Sequence, residues 1–208
     1  MDYNDDNLNP QAEQARTKAD DNAAQEPSAT ELLAKLKPEM DEAMGGRALE
    51  QYGFGQWNIS ETDLKTDCII VPDGKLYVGD FAFAANWKFV QTVRMPDSVV
   101  KIGRAAFLGC SSLSSVTMPN VLTSIEDYAF WGCISLTSVT FPASLTSIGR
   151  EAFYGCTSLK SVTIPASVTS IGDCAFAACR SLASIRIPRG LAAIGEQAFP
   201  PDASIYIV

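Results

Sequence analysis

Residues 136–156 read LTSVTFPASLTSIGREAFYGC, and their key positions recur along the chain at a nearly constant interval. Prolines in this register are separated by 24 residues once and then by 23 residues four times, and a phenylalanine follows each proline in step. The two series are Pro72, Pro96, Pro119, Pro142, Pro165 and Pro188, and Phe83, Phe107, Phe130, Phe153, Phe176 and Phe199. A fixed period of this length predicts stacked supersecondary units, in which each unit contacts its neighbours, rather than one globular core.

Each unit contains a pattern that is typical of a strand. Val116 and Met118 alternate with polar residues at period two, so Leu113–Met118 and its equivalents are predicted to be strands that end at proline. The segment Ala106–Cys110 is too short for an α-helix and favours a helical turn on the opposite wall. We expect each phenylalanine to fill the space between the walls and to contribute about 1.5–3 kcal/mol by its burial. The predicted fold is an α/β solenoid with one short parallel strand and one helical turn per 23-residue repeat.

The chain divides into three predicted regions. Residues 1–27 contain a single leucine and many polar residues, which predicts a disordered acidic tail. Residues 28–65 begin with a capping-box pattern at Ser28 and Glu31, which predicts a helical cap over the first repeat. Residues 66–208 form about six repeat units.

Charge and composition exclude several classes of function. The formal net charge is −8, and residues 1–65 contain 14 acidic and 6 basic side chains while the remainder is balanced. The absence of a basic stripe argues against nucleic acid as a partner. No apolar run is long enough to cross a membrane, and no signal peptide is visible. With no histidine in the chain, Ser-His-Asp and Cys-His catalysis and histidine-ligated zinc are excluded.

The stretch 136–156 and the stretch 162–176, VTIPASVTSIGDCAF, closely resemble the BspA-like class of leucine-rich repeats. This resemblance implies a curved leucine-rich-repeat solenoid, found in bacterial and protozoan proteins that are often secreted or surface-exposed and adhere to host or matrix proteins. It implies no catalytic residue and no cofactor. Departures from the pattern are Glu126 and Ala178 at glycine positions and one inserted residue near Trp87. The implied location is extracellular or the cell surface, with the cytoplasm as the alternative because no signal peptide is seen.

Outward positions of the predicted strands form two polar columns, which are the first candidate binding site. Hydroxyls in such columns could bond an extended peptide or a glycan, and the arginines could bind carboxylates. The alternative is that serine and threonine are merely soluble, strand-compatible residues. The candidate residues are Arg94, Ser115, Thr117, Ser138, Thr140, Ser161, Thr163 and Arg186.

A second candidate binding site is a stripe of mostly aromatic residues. Leu108, Trp131 and Tyr154 each follow a phenylalanine of the series, and Trp87 lies near the same register. Aromatic side chains are enriched at interface centres. The alternative is that these residues pack against the neighbouring turn.

Four cysteines recur at the repeat period, namely Cys110, Cys133, Cys156 and Cys179. Without a close Cys-x-x-Cys pair or a histidine, a metal site is not expected. Parallel stacking aims their side chains alongside one another, so we predict reduced, buried thiols. Cys68 and Cys174 fall outside this column and are expected to be more exposed.

These observations predict a non-enzymatic module that binds a protein or a glycan through its strand face, with no cofactor and no membrane insertion. Two alternatives remain. The strand-like segment Ile205–Val208 favours self-association through the last strand edge. The acidic leader favours a delivered effector that uses this segment for docking.

Overall fold

The repeat region winds into a solenoid of stacked coils in which two β-ladders form two of the walls. The structure is a computed structural model that describes residues 34–35, 38, 68–84 and 90–208. The predicted tail and the insertion near Trp87 lie outside the described residues. The predicted helical cap also lies outside them, apart from residues 34–35 and 38. The boundaries of the three regions stay predictions.

The first ladder is built from the predicted strand positions, and every pairing in it is parallel. Its outward side is called the strand face below. The valines and isoleucines at the centres of its strands point into the core, as period-two alternation requires. The strands are β1 (Cys68–Ile70), β3 (Thr92–Arg94), β5 (Ser115–Thr117), β8 (Ser161–Thr163), β10 (Ser184–Ile187) and β12 (Ser204–Ile207).

The first ladder is interrupted at its middle, where Ser138–Thr140 are not in a strand. It therefore consists of two three-stranded sheets, β1-β3-β5 and β8-β10-β12. At the interruption the amide of Thr137 lies 3.4 Å from the carbonyl oxygen of Ser114, whereas the equivalent distance from Ser114 to Gln91 is 2.8 Å. This coil carries Phe141, whose ring lies edge-on to Phe153 at 5.6 Å, where neighbouring coils carry smaller side chains.

A second parallel ladder forms another wall and was not predicted. It contains six two-residue strands that are paired in one continuous sheet. Each strand turns an isoleucine or valine toward the core. The strands are β2 (Tyr77–Val78), β4 (Lys101–Ile102), β6 (Ser124–Ile125), β7 (Ser147–Ile148), β9 (Ser170–Ile171) and β11 (Ala193–Ile194).

The predicted helical turn is wrong, because the repeats that the structure describes contain turns and no helix. Ala106 and Leu108 donate their amides to carbonyls three residues back, but Ala105 and Phe107 donate theirs to the next coil, at 2.9 and 2.7 Å. Ala105 has a φ of 51°, in the left-handed region that ends a right-handed helix. In this wall, alternate backbone amides therefore donate hydrogen bonds to the next coil, whereas in a helix they would bond within their own segment.

The phenylalanine column is confirmed as the centre of the core. All six rings of the series are buried, and consecutive rings stack with centroids between 5.0 and 5.9 Å apart. The interplanar angles of the first four pairs are 11° or less. Stacked rings join each coil to the next, so the core is continuous along the solenoid.

Candidate functional site

The strand face brings the eight predicted polar residues onto one surface. Each of them is exposed, because outward and inward residues alternate along the first ladder. Backbone pairing sets Arg94 beside Thr117, and Thr163 beside Arg186. Six of the eight are hydroxyl residues on three consecutive coils, and the arginines flank them.

The hydroxyls of the strand face differ from one group of hydroxyls elsewhere on the solenoid. Several serine and threonine hydroxyls away from this face donate hydrogen bonds to carbonyl oxygens of the preceding coil, as Thr146 does to Thr123 at 2.9 Å and Ser167 does to Leu145 at 2.6 Å. Among the residues that the structure describes, the six strand-face hydroxyls make no side-chain hydrogen bond. Their donor and acceptor capacity is therefore open to a ligand. These six are Ser115, Thr117, Ser138, Thr140, Ser161 and Thr163.

The aromatic stripe is placed differently from the polar columns. Leu108 and Trp131 are buried, with 0% and 4% of their surfaces exposed, so these two residues pack inside the protein. Tyr154 is half-buried and stacks on Trp131 with ring centroids 5.5 Å apart. Trp87 lies outside the described residues. A binding role for the stripe stays a prediction, and Tyr154 is its most exposed described member.

The four periodic cysteines are free and buried. Their thiols donate hydrogen bonds to phenylalanine carbonyls of the preceding coils, as Cys133 does to Phe107 at 3.3 Å. Burial raises the pKa of the Cys110, Cys133 and Cys156 thiols far above its ordinary value. The described residues include no cluster of three or more cysteine, aspartate or glutamate side chains that could hold a metal ion. These cysteines act as small core residues.

We expect iodoacetamide to label Cys68 and Cys174 in the folded protein and to leave the four periodic cysteines unlabelled until the chain unfolds. Burial, and then the carboxylates of Glu151 and Asp173, raise the pKa of Cys174, so its thiolate is scarce near neutral pH. Its labelling rate should therefore still increase as the pH passes 9, the ordinary thiol value. Mass spectrometry of the labelled peptides measures both effects. Rapid labelling of Cys133 in the folded state would contradict this assignment.

A shallow depression along the second ladder was not predicted. It has a volume of about 420 Å³, and Ser147, Ser170 and the glycines that follow the strands line it. Two of its aspartates hold the fold together, because Asp127 Oδ1 accepts the amide of Arg150 at 2.7 Å and Asp173 Oδ1 accepts that of Glu196 at 2.8 Å. The sequence signal for this surface was the isoleucine that recurs at the repeat period and is followed by glycine in most repeats.

The predicted self-association edge belongs to β12. Tyr206 and Val208 are exposed there, with 54% and 60% of their surfaces accessible, and β12 pairs with β10 on its inner side. Self-association through this edge stays a prediction. The alternative of a delivered effector depends on the acidic leader, residues 1–27, which lies outside the described residues. Within the described part of the chain, no helix is long and apolar enough to cross a membrane.

Comparison with known proteins identifies the repeats. Residues 76–205 match the model of the BspA type leucine rich repeat region, in six copies. A leucine-rich-repeat protein of T. pallidum is 34% identical over 68% of this chain and 73% of its own, with a TM-score of 0.57. One from Bacteroides ovatus is 30% identical over 68% of this chain and 45% of its own, with a TM-score of 0.58.

A leucine rich cell surface protein of Faecalibacterium prausnitzii is 29% identical over 68% of this chain and 48% of its own, with a TM-score of 0.56. This chain therefore spans less than half the length of the second and third of these proteins. No curated protein matches the sequence. The six matched copies and the stacked coils give the same answer as the resemblance: the chain belongs to the BspA-type leucine-rich-repeat family.

Proposed function

We propose that this chain is a non-enzymatic interaction module that binds a protein or a glycan through its strand face. The observation that supports this most directly is the array of hydroxyls on the strand face. Six of them lie exposed on three consecutive coils and keep their bonding capacity, whereas Thr146 and Ser167 on other walls bond to the preceding coil. Leucine-rich repeats of this type commonly mediate protein interactions, which is consistent with this role.

The rigidity of the stack favours binding. Within each three-stranded sheet, parallel pairing holds the outward side chains of adjacent coils in rows about 4.8 Å apart. At the unpaired middle coil, the continuous second ladder and the stacked phenylalanine rings hold the coils together. A ligand that lies across the coils would meet groups whose positions are already set, so binding would cost little ordering entropy on the protein side. This preorganisation is how such a scaffold would gain affinity.

The proposed location is the cell surface or the extracellular space. The F. prausnitzii relative carries the description of a leucine rich cell surface protein, and it shares the repeat architecture. The cytoplasm is the alternative. Surface labelling of intact cells with a membrane-impermeant reagent, followed by detection of this chain, distinguishes the two.

Replacing Thr117, Thr140 and Thr163 together with glutamate is expected to abolish ligand capture by the full chain while leaving the fold intact. The three side chains are exposed on consecutive coils, so glutamate adds negative charge and bulk to the face without entering the core. The measurement compares the proteins and glycans that the immobilised wild-type and variant chains retain from lysates, with quantification by mass spectrometry.

The matched control carries glutamate at Asn120, Ala143 and Ala166, which are exposed three residues later on the same coils. This control adds the same charge outside the strand face, so its capture should equal that of the wild type. Circular dichroism checks that both variants fold. Equal capture by the wild type and the strand-face variant, or equal losses in both variants, would exclude the strand face as the binding site.

A further inference from the structure

The two three-stranded sheets of the first ladder have the same arrangement of outward side chains. In each sheet the central strand carries an arginine, Arg94 on β3 and Arg186 on β10. Pairing places Arg94 between Ile70 and Thr117. It places Arg186 between Tyr206 and Thr163. Each guanidinium therefore has a threonine on the side toward the middle of the solenoid and a large apolar or aromatic residue on the other side.

The outer neighbours of the arginines are unusually exposed for their type. Ile70 has 67% of its surface accessible and Tyr206 has 54%. Apolar surface next to a cation suits a peptide, whose side chains provide apolar and charged groups close together. A sulfated glycan would use the cations but gain little from Ile70. The surroundings of both arginines thus favour a peptide ligand.

Both charged side chains at the described outward positions of the strand face are cations. They are Arg94 and Arg186, and no aspartate or glutamate occupies one of these positions. Cations on the second ladder are paired instead, as Lys101 is with Glu126 at 3.0 Å and Arg150 with Glu151 at 3.3 Å. Among the described residues, Arg94 and Arg186 form no ion pair. The face is complementary to an anionic partner.

The separation of the arginines sets the spacing of the anionic groups. The coils of Thr117, Thr140 and Thr163 lie between them, so Arg94 and Arg186 are four inter-coil steps apart, about 19 Å at about 4.8 Å per step. An extended peptide rises about 3.3 Å per residue, so about six residues cover this distance. Hydroxyls line the whole path between the arginines and can bond the peptide backbone.

Building on the proposed function, we propose that the strand face binds an extended acidic peptide segment with two carboxylate side chains about six residues apart. The segment runs along the stack of coils. Its two carboxylates contact Arg94 and Arg186, its backbone contacts the strand-face hydroxyls, and flanking apolar side chains contact Ile70 and Tyr206. Arginine is suited to this role because its planar fork bonds a carboxylate at two points.

The test measures fluorescence anisotropy of labelled peptides with the full chain. The probe is a Ser/Thr/Val-rich peptide with two glutamates about six residues apart, flanked by leucine and tyrosine. We expect it to bind about tenfold more tightly than the same peptide with glutamines, and more weakly as salt is raised. Arg94→Gln and Arg186→Gln should each remove most of this preference. The matched control Arg150→Gln, on the second ladder, should leave it unchanged.

Several results would overturn the proposal. The first is no measurable binding of the glutamate peptide, and the second is equal binding of a peptide whose glutamates are about three residues apart. The third is a glutamate preference that depends on only one of the two arginines. The fourth is a preference for a heparin-derived oligosaccharide that displaces the peptide. If the triple-glutamate variant loses its captured ligands while Arg94→Gln and Arg186→Gln retain them, the strand face is a binding site but this peptide assignment is wrong.

Discussion

Replacing Phe130 with alanine is expected to lower the free energy of unfolding by about 3–5 kcal/mol. The ring is fully buried and stacks between Phe107, at 5.0 Å, and Phe153, at 5.1 Å. Alanine would leave a cavity at the centre of the core and would remove both stacking contacts, so adjacent coils would lose their main connection. Urea titration followed by circular dichroism measures the loss.

The control for this prediction is Phe199→Ala at the end of the column. Phe199 is also buried, but within the series it stacks only on Phe176, at 5.9 Å. Losing one aromatic contact instead of two should make this variant less destabilised, by about 0.5–1.5 kcal/mol. Equal losses in the two variants would show that the column does not act as a continuous stabilising element.

Replacing Gly149 with alanine is expected to cost about 1–3 kcal/mol. A Cβ at this position would lie 2.5 Å from the amide nitrogen of Asp127 and 2.6 Å from the carbonyl carbon of Glu126, both on the preceding coil. These are backbone atoms, so the clash can be relieved only by moving the coils apart. Thermal unfolding of the variant measures the cost.

Glu126 shows why the expected cost is moderate. It occupies the equivalent position on its own coil, and its amide bonds to Ile102 at 3.0 Å where that of Gly149 bonds to Ile125 at 2.8 Å. The stack therefore accommodates a side chain there by a small separation. The control is Gly190→Ala, because a Cβ at Gly190 meets no atom within 4 Å. Destabilisation of both variants to the same extent would exclude crowding between coils as the cause.

The repeat period in the sequence was enough to determine the solenoid, the phenylalanine column and the buried cysteines, and it placed every strand of the first ladder but wrongly added one at Ser138–Thr140. Each depends on a residue type that recurs at a fixed interval, and stacking turns that interval into a column. The outward positions of the strand face followed for the same reason, because period-two alternation assigns every second residue of a strand to the surface.

Only the tertiary structure decided the form of the other walls. The strands of the second ladder have two residues each, too short for alternation to appear in the sequence. The helical turn was predicted from a short local pattern, but a left-handed residue at Ala105 and its equivalents directs alternate amides to the next coil. The sequence likewise did not decide whether Trp131 is buried, because an aromatic residue after the phenylalanine suits an interface and a core equally well.

The candidate site shows the same division. The sequence by itself determined which polar residues share the strand face, since that depends on periodicity alone. The tertiary structure decided that its hydroxyls are left unbonded and that Arg94 and Arg186 occupy the central strands of two separate sheets. Hydrogen-bond partners and the interruption at Ser138–Thr140 depend on distances between coils, and those distances are set by packing around residues such as Phe141.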